Sequence, residues 1–169
     1  RNSLDSLLSS EKGNAVLSVY QGTEAPGIFL QVTYLVECVA PRHLHIDRYL
    51  PISPTTLWLD HTGDAISAPD FSVGKLNPSP DTDDILGNSG IKRLVKKMLR
   101  SAEAQMYKVT EDLVTEAGIA AEKELQSEIS RLQNLARLNP AIDQSEIKNL
   151  QTHQTELEEA LAETRFRLD

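Results

Sequence analysis

Two short runs carry residue types that could do chemistry. His43, His45 and Asp47 alternate. On a strand these three side chains would share one face, a spacing that suits zinc, and His61 would supply a fourth ligand. The plainer expectation is a solvated strand face with two ordinary histidines, because no cysteine pair and no helical His-x3-His supports the metal. Lys92, Arg93, Lys96, Lys97 and Arg100 form the second run, with no acid between Ile85 and Ala102. At helical spacing Lys92, Lys96 and Arg100 share a face, as do Arg93 and Lys97. Such a face suits nucleic acid or an acidic partner. It equally suits a solvated helix surface, and no aromatic interleaves it to stack on bases.

Other chemistry finds little footing. Gly87, Gly90 and Lys92 have the wrong spacing for a phosphate-cradling loop. No Gly-x-Ser-x-Gly elbow occurs, and no pair of acids flanks a plausible pocket. Trp58 sits between Leu57 and Leu59 and reads as core. Cys38 is the single cysteine, so no internal disulfide is possible, and its strand-like setting predicts a small buried hydrophobe in a reducing cytoplasm. The fragment is therefore expected to be no enzyme and to hold no cofactor.

These residues must be positioned by the elements around them. Forty per cent hydrophobic content supports a modest core, and 5% aromatics with abundant Ala, Leu, Glu and Lys favours helix. A net charge of −8 argues against broad phosphate binding by the whole chain. No apolar run of about 18 residues predicts a membrane span, and no secretory leader is expected. The first residues are Arg-Asn-Ser with no Met, which predicts a piece of something larger.

Along the chain, Ser3 to Ser10 reads as a short helix and Ala15 to Tyr20 as a strand. Phe29 to Ala40 is the clearest strand: Leu30, Val32, Tyr34, Val36 and Cys38 face one way and a semi-polar set the other. Pro41 to Pro51 reads as a second strand. Thr55 to Asp60 follows, then a tight turn over His61 to Asp64 and a short return at Ala65 to Ser67. Close sequential strands predict antiparallel pairing. Residues 68–90 are rich in Pro, Gly and Asp and read as a loop. From Ile91 to Leu138 apolar residues recur at helical spacing, a length of about 70 Å. Asn139 and Pro140 stop this helix, and Asp143, with Glu146 three residues on, caps a return helix expected from Gln144 to Leu168. At about 37 Å the return covers only the distal part of the outgoing helix. The proximal stripe must be buried on the sheet, and Gly118, near the junction, is a candidate bend. The expectation is an α+β fold: a small antiparallel sheet packed by a long helix that forms an antiparallel hairpin with a shorter return helix. Residues 1–67 hold the sheet and a short N-terminal helix, 68–90 the loop and 91–169 the hairpin, as one compact domain with an arm.

An ordered set of runs adds a resemblance. Val32 to Leu44 (VTYLVECVAPRHL), Arg48 to Pro51, Pro54, and Leu59-Asp60 with Gly63-Asp64 come first. Ala102 to Gln105, Glu128 to Leu132, Leu138 to Ile142 and Arg167 to Asp169 follow. In order and spacing this set resembles the C-terminal region of the RapA family, bacterial RNA polymerase-associated ATPases of SWI/SNF, helicase-like type. The resemblance implies a transcription-linked parent that hydrolyses ATP, binds core RNA polymerase and helps recycle it in the bacterial cytoplasm, beside the nucleoid. ATP and magnesium would be held by the parent's motor domains, whose motifs are absent here. The implied role of this region is a non-catalytic brace or docking surface, with core polymerase and the rest of the parent chain as partners and no membrane. The alternative is direct DNA or RNA binding through the basic face 92–100. Residues 70–90 depart from the family, being acidic and Pro-rich where relatives are basic. The resemblance also implies a further apolar strand past the final Arg-Leu-Asp, so the sheet is expected either to lack an edge strand or to take one from outside.

Overall fold

Alternating β-branched and aromatic residues and one long helical stripe build the observed α+β architecture. The computed structural model describes residues 18–20, 27–69, 76–78, 87–139 and 143–169. The helix expected at Ser3 to Ser10, the Pro140 stop and much of the 68–90 loop lie outside them. Six strands are described: β1 (Ser18–Tyr20), β2 (Leu30–Glu37), β3 (Ser53–Leu59), β4 (Ala65–Ile66), β5 (Leu76–Pro78) and β6 (Arg165–Leu168). The helices are α1 (Ser89–Leu138) and α2 (Gln144–Ala162), with two 3-10 turns at Arg42–Leu44 and Ile46–Arg48. A four-stranded antiparallel sheet runs in the order β4-β3-β2-β6, and β1 pairs with β5 in a separate ribbon.

The chain divides into two compact units. The first comprises Arg1–Thr33, Thr56–Gln105 and Asp169. Within it β1 and β5 are antiparallel, Ser18 opposite Pro78 and Tyr20 opposite Leu76. The strand at 76–78 departs from the expected loop. Proline at its end masks the signal, although a two-stranded ribbon tolerates it because an edge position needs no donor. Strands β3 and β4 pair Trp58 with Ile66 and Leu59 with Ala65. The turn between them is tied by Asp60, whose Oδ1 accepts from the backbone N–H groups of Thr62, Gly63 and Asp64 at 2.8, 3.1 and 3.1 Å. Gly63 stands at φ +95°, and a Cβ there would come within 3.1 Å of Ser101 Cβ. Its carbonyl accepts from Ser101 Oγ and Gln105 Nε2, so the first part of α1 is fastened to this turn. Met98 and Ala102 are fully buried on that part of the helix.

The second unit comprises Tyr34–Thr55 and Met106–Leu168. Its centre is Leu44, Ile46 and Leu50 from the 3-10 segment, Ala117 and Ala121 from α1, and Leu157 and Leu161 from α2. The strand expected over 41–51 is therefore corrected. His45, at φ +47°, ends one 3-10 turn and starts the next, so the segment folds back and drives three aliphatic side chains inward. Helix α2 ends at Ala162, short of the expected Leu168, because the Thr164 N–H and hydroxyl both turn back to the Leu161 carbonyl. Arg165-Phe166-Arg167-Leu168 then alternates as a strand, with Glu37 opposite Arg165 and Tyr34 opposite Leu168. This strand, expected as the end of the helix, forms one edge of the four-stranded sheet. The Asp143 cap at the start of α2 is as expected: its Oδ1 accepts from Ser145 N–H at 2.8 Å, and Glu146 joins through its backbone N–H to the Asp143 carbonyl. Gly118 lies within continuous helix, and a Cβ on it would touch nothing within 4 Å.

Candidate functional site

Helix α1 carries all five cations of the basic run in its first three turns. The apolar stripe Ile91, Leu94, Val95 and Met98 turns one side of these turns inward, which leaves the intervening positions to point outward. Lys92, Arg93, Lys97 and Arg100 are exposed and Lys96 is half-buried. None of the five makes an ion pair with a described residue. The helix has no acid in its first turn, although the aligned peptide dipoles make that end positive and favour acids there. Cations near a helix start work against the dipole by about 0.3–1 kcal/mol each at most. Helix stability therefore does not explain why this end is basic.

The other predicted run does not assemble. His43 lies in the first 3-10 turn, His45 between the two turns and Asp47 in the second. The shared strand face that made them ligand-like is absent. His43 Nε2 instead meets Glu156 Oε2 of α2 at 3.1 Å, with the His153 ring centroid 6.3 Å away. His61 lies in the β3–β4 turn. Among the described residues no three His, Cys, Asp or Glu side chains are grouped to hold a metal.

Around the 3-10 segment the charges pair with one another. Arg48 Nη1 lies 2.8 Å from Glu124 Oε1 on α1. Burial, and then the neighbouring Glu124 carboxylate, push the Tyr49 phenol above its usual value. Arg131 holds Glu128 through two hydrogen bonds, which lower the Glu128 carboxyl. Arg165 and Arg167 flank Glu37 at 3.8 and 3.6 Å. An open cleft of about 820 Å³ lies among Leu44, Tyr49, Glu124, Leu132, Leu150 and His153, and the Arg48–Glu124 and Arg131–Glu128 pairs stand in it. Sequence reasoning missed these pairs because each partner lies on a different element or turn; only the Glu128–Arg131 spacing of three announces itself. Cys38 is half-buried and its thiol donates to the Ala160 carbonyl at 3.0 Å. No described helix is long and apolar enough to cross a membrane.

Comparison with known proteins covers the whole chain. A family model described as the RNA polymerase recycling family, C-terminal, matches residues 1–169. An RNA polymerase-associated protein RapA from Klebsiella pneumoniae is 30% identical over 175 residues, covering 100% of this chain and 18% of that protein. RapA proteins from Pectobacterium carotovorum and Sodalis glossinidius are 31% and 34% identical over 175 and 176 residues, at the same coverage of 100% and 18%. The chain thus spans less than a fifth of the length of these relatives.

Proposed function

Because this chain belongs to the RNA polymerase recycling family, as its C-terminal region, we propose that it is the non-catalytic C-terminal domain of an ATP-dependent, RNA polymerase-associated protein. In this role it supports the binding and recycling of polymerase during transcription. ATP and magnesium belong to the motor domains of the parent, and the parent works in the bacterial cytoplasm. The match over residues 1–169 carries this reading. The side-chain pairing supports it: the polar groups around the 3-10 segment are used against each other, and the 50-residue helix α1 runs for about 75 Å. Rigid elements of this kind present a docking face at little ordering cost.

Capture of core polymerase tests the proposal. The parent protein, the parent lacking this region and the isolated 169-residue chain are compared at equal concentration. The expected result is weaker capture when the region is removed. Equal capture with and without it would remove the docking role.

A further inference from the structure

We propose that the outward face of the first three turns of α1 is a sequence-independent docking surface for the phosphate backbone of duplex nucleic acid. It goes beyond the polymerase reading and does not depend on it. Lys92, Lys96 and Arg100 stand one turn apart along the helix, and Arg93 and Lys97 form a second row beside them. Successive cations in a row are about 6 Å apart along the axis, so the longer row spans about 12 Å. All five lack an ion-pair partner among the described residues. Their concentration is the more telling on a chain of net charge −8. A surface of one sign, set on a rigid helix within an otherwise acidic molecule, selects a polyanion and places it.

Two absences within this face choose between kinds of polyanion. Protein interfaces gain most of their affinity from apolar or aromatic anchors at the centre of the patch. The exposed large hydrophobics among the described residues are Ile28, Phe29, Val39, Ile52, Tyr107, Ile119, Leu135 and Leu138, and none lies between 89 and 106. The face therefore carries charge without an anchor, which suits phosphates better than an acidic protein. It also carries no aromatic on which unstacked bases could lie, so single strands gain nothing over a duplex. Lysines and arginines that reach only the backbone position a duplex without reading its sequence.

The test is fluorescence anisotropy of two labelled 20-base-pair duplexes of unrelated sequence, titrated with the whole 169-residue chain. Both duplexes are expected to bind alike. With four or five phosphate contacts the logarithm of affinity should fall against the logarithm of salt with a slope of about −4. That slope is a loss of roughly 100-fold or more between about 50 and 200 mM salt. Lys96→Glu with Lys97→Glu should lower affinity at least about tenfold and flatten the slope. Lys123→Glu with Lys148→Glu changes the net charge equally but lies elsewhere, and should change affinity far less. Glu and Lys have nearly equal helix propensity, so the first double variant should keep its helical circular dichroism. No binding at tens of micromolar protein in low salt would overturn the proposal. So would equal effects of the two double variants, or tighter binding to polyaspartate of matched charge, which would assign the face to an acidic protein.

Discussion

The first turns of α1 and the segment around the 3-10 turns are both rich in charge, yet they use it in opposite ways. Around the 3-10 turns Arg48 meets Glu124 and Arg131 meets Glu128. Beneath these pairs lie Leu44, Ile46, Leu50, Leu157 and Leu161, each under a tenth exposed. At the start of α1 five cations stand without a described partner, and the first turn holds no acid. Paired charge over an apolar plug serves the fold, though exposed pairs of this kind contribute only about 0–1 kcal/mol. Charge without a partner among the described residues is the charge that a polyanion from outside the chain would meet.

That contrast can be broken at its apolar side first. Leu157 is 1% exposed at the centre of the 3-10 plug. Leu157→Ala should cost about 2–5 kcal/mol in a denaturant melt, a large share of the stability of a small domain. A cost below about 1 kcal/mol would mean that the plug is not the core of its unit. In the other unit Gly63→Ala meets both a left-handed φ of +95° and Ser101 Cβ at 3.1 Å. A loss of about 2 kcal/mol is expected there. If the variant melts like the parent sequence, the turn does not hold α1 as described.

Smaller effects sharpen the comparison. Thr110 is 7% exposed and its hydroxyl has no hydrogen-bond partner among the described residues. Thr110→Val keeps the shape and removes the unpaired group, so it should raise stability by about 1 kcal/mol. A drop would reveal a partner for that hydroxyl. The smallest effect is at the α2 cap. The hydrogen bond from Ser145 holds the Asp143 carboxyl below its usual value. A depressed carboxyl stabilises the fold above the unfolded value, near pH 4, and that contribution fades as pH falls through the folded value. Asp143→Ala should therefore lower the melting temperature by a few degrees at neutral pH. The gap should close in acid; a gap that stays constant down to about pH 3 would show that the carboxylate is not the cap.

How legible each region was follows from the length over which its pattern repeats. Helix α1 buries Met98, Ala102, Met106, Ala117, Ala121, Leu125, Ile129 and Leu132 in a stripe many turns long, and no other period fits it. Strand β2 alternates over eight residues and was equally plain. The 3-10 segment imitated a strand because Leu44, Ile46 and its histidines alternate over only a few residues. The left-handed His45 that folds it back has no sequence mark. Strand β6 is four residues long, and Leu161 and Leu168, seven apart, extended the helical pattern through it. The basic face could be read because its residues are neighbours in sequence. The pairs at Glu124 and Glu156 could not, because the fold alone brings them to Arg48 and His43.

The contrast between the two regions predicts different fates for their lysines when the parent protein sits on polymerase and nucleic acid. Acetylation rates of Lys92, Lys96 and Lys97 can be compared with those of Lys123 and Lys148, with the parent free and in the assembled complex. The three lysines of the α1 face should lose reactivity on assembly while Lys123 and Lys148 keep theirs. Unchanged reactivity at the α1 face, or protection confined to Lys123 and Lys148, would contradict the assignment of the unpaired charge as the surface that meets the outside.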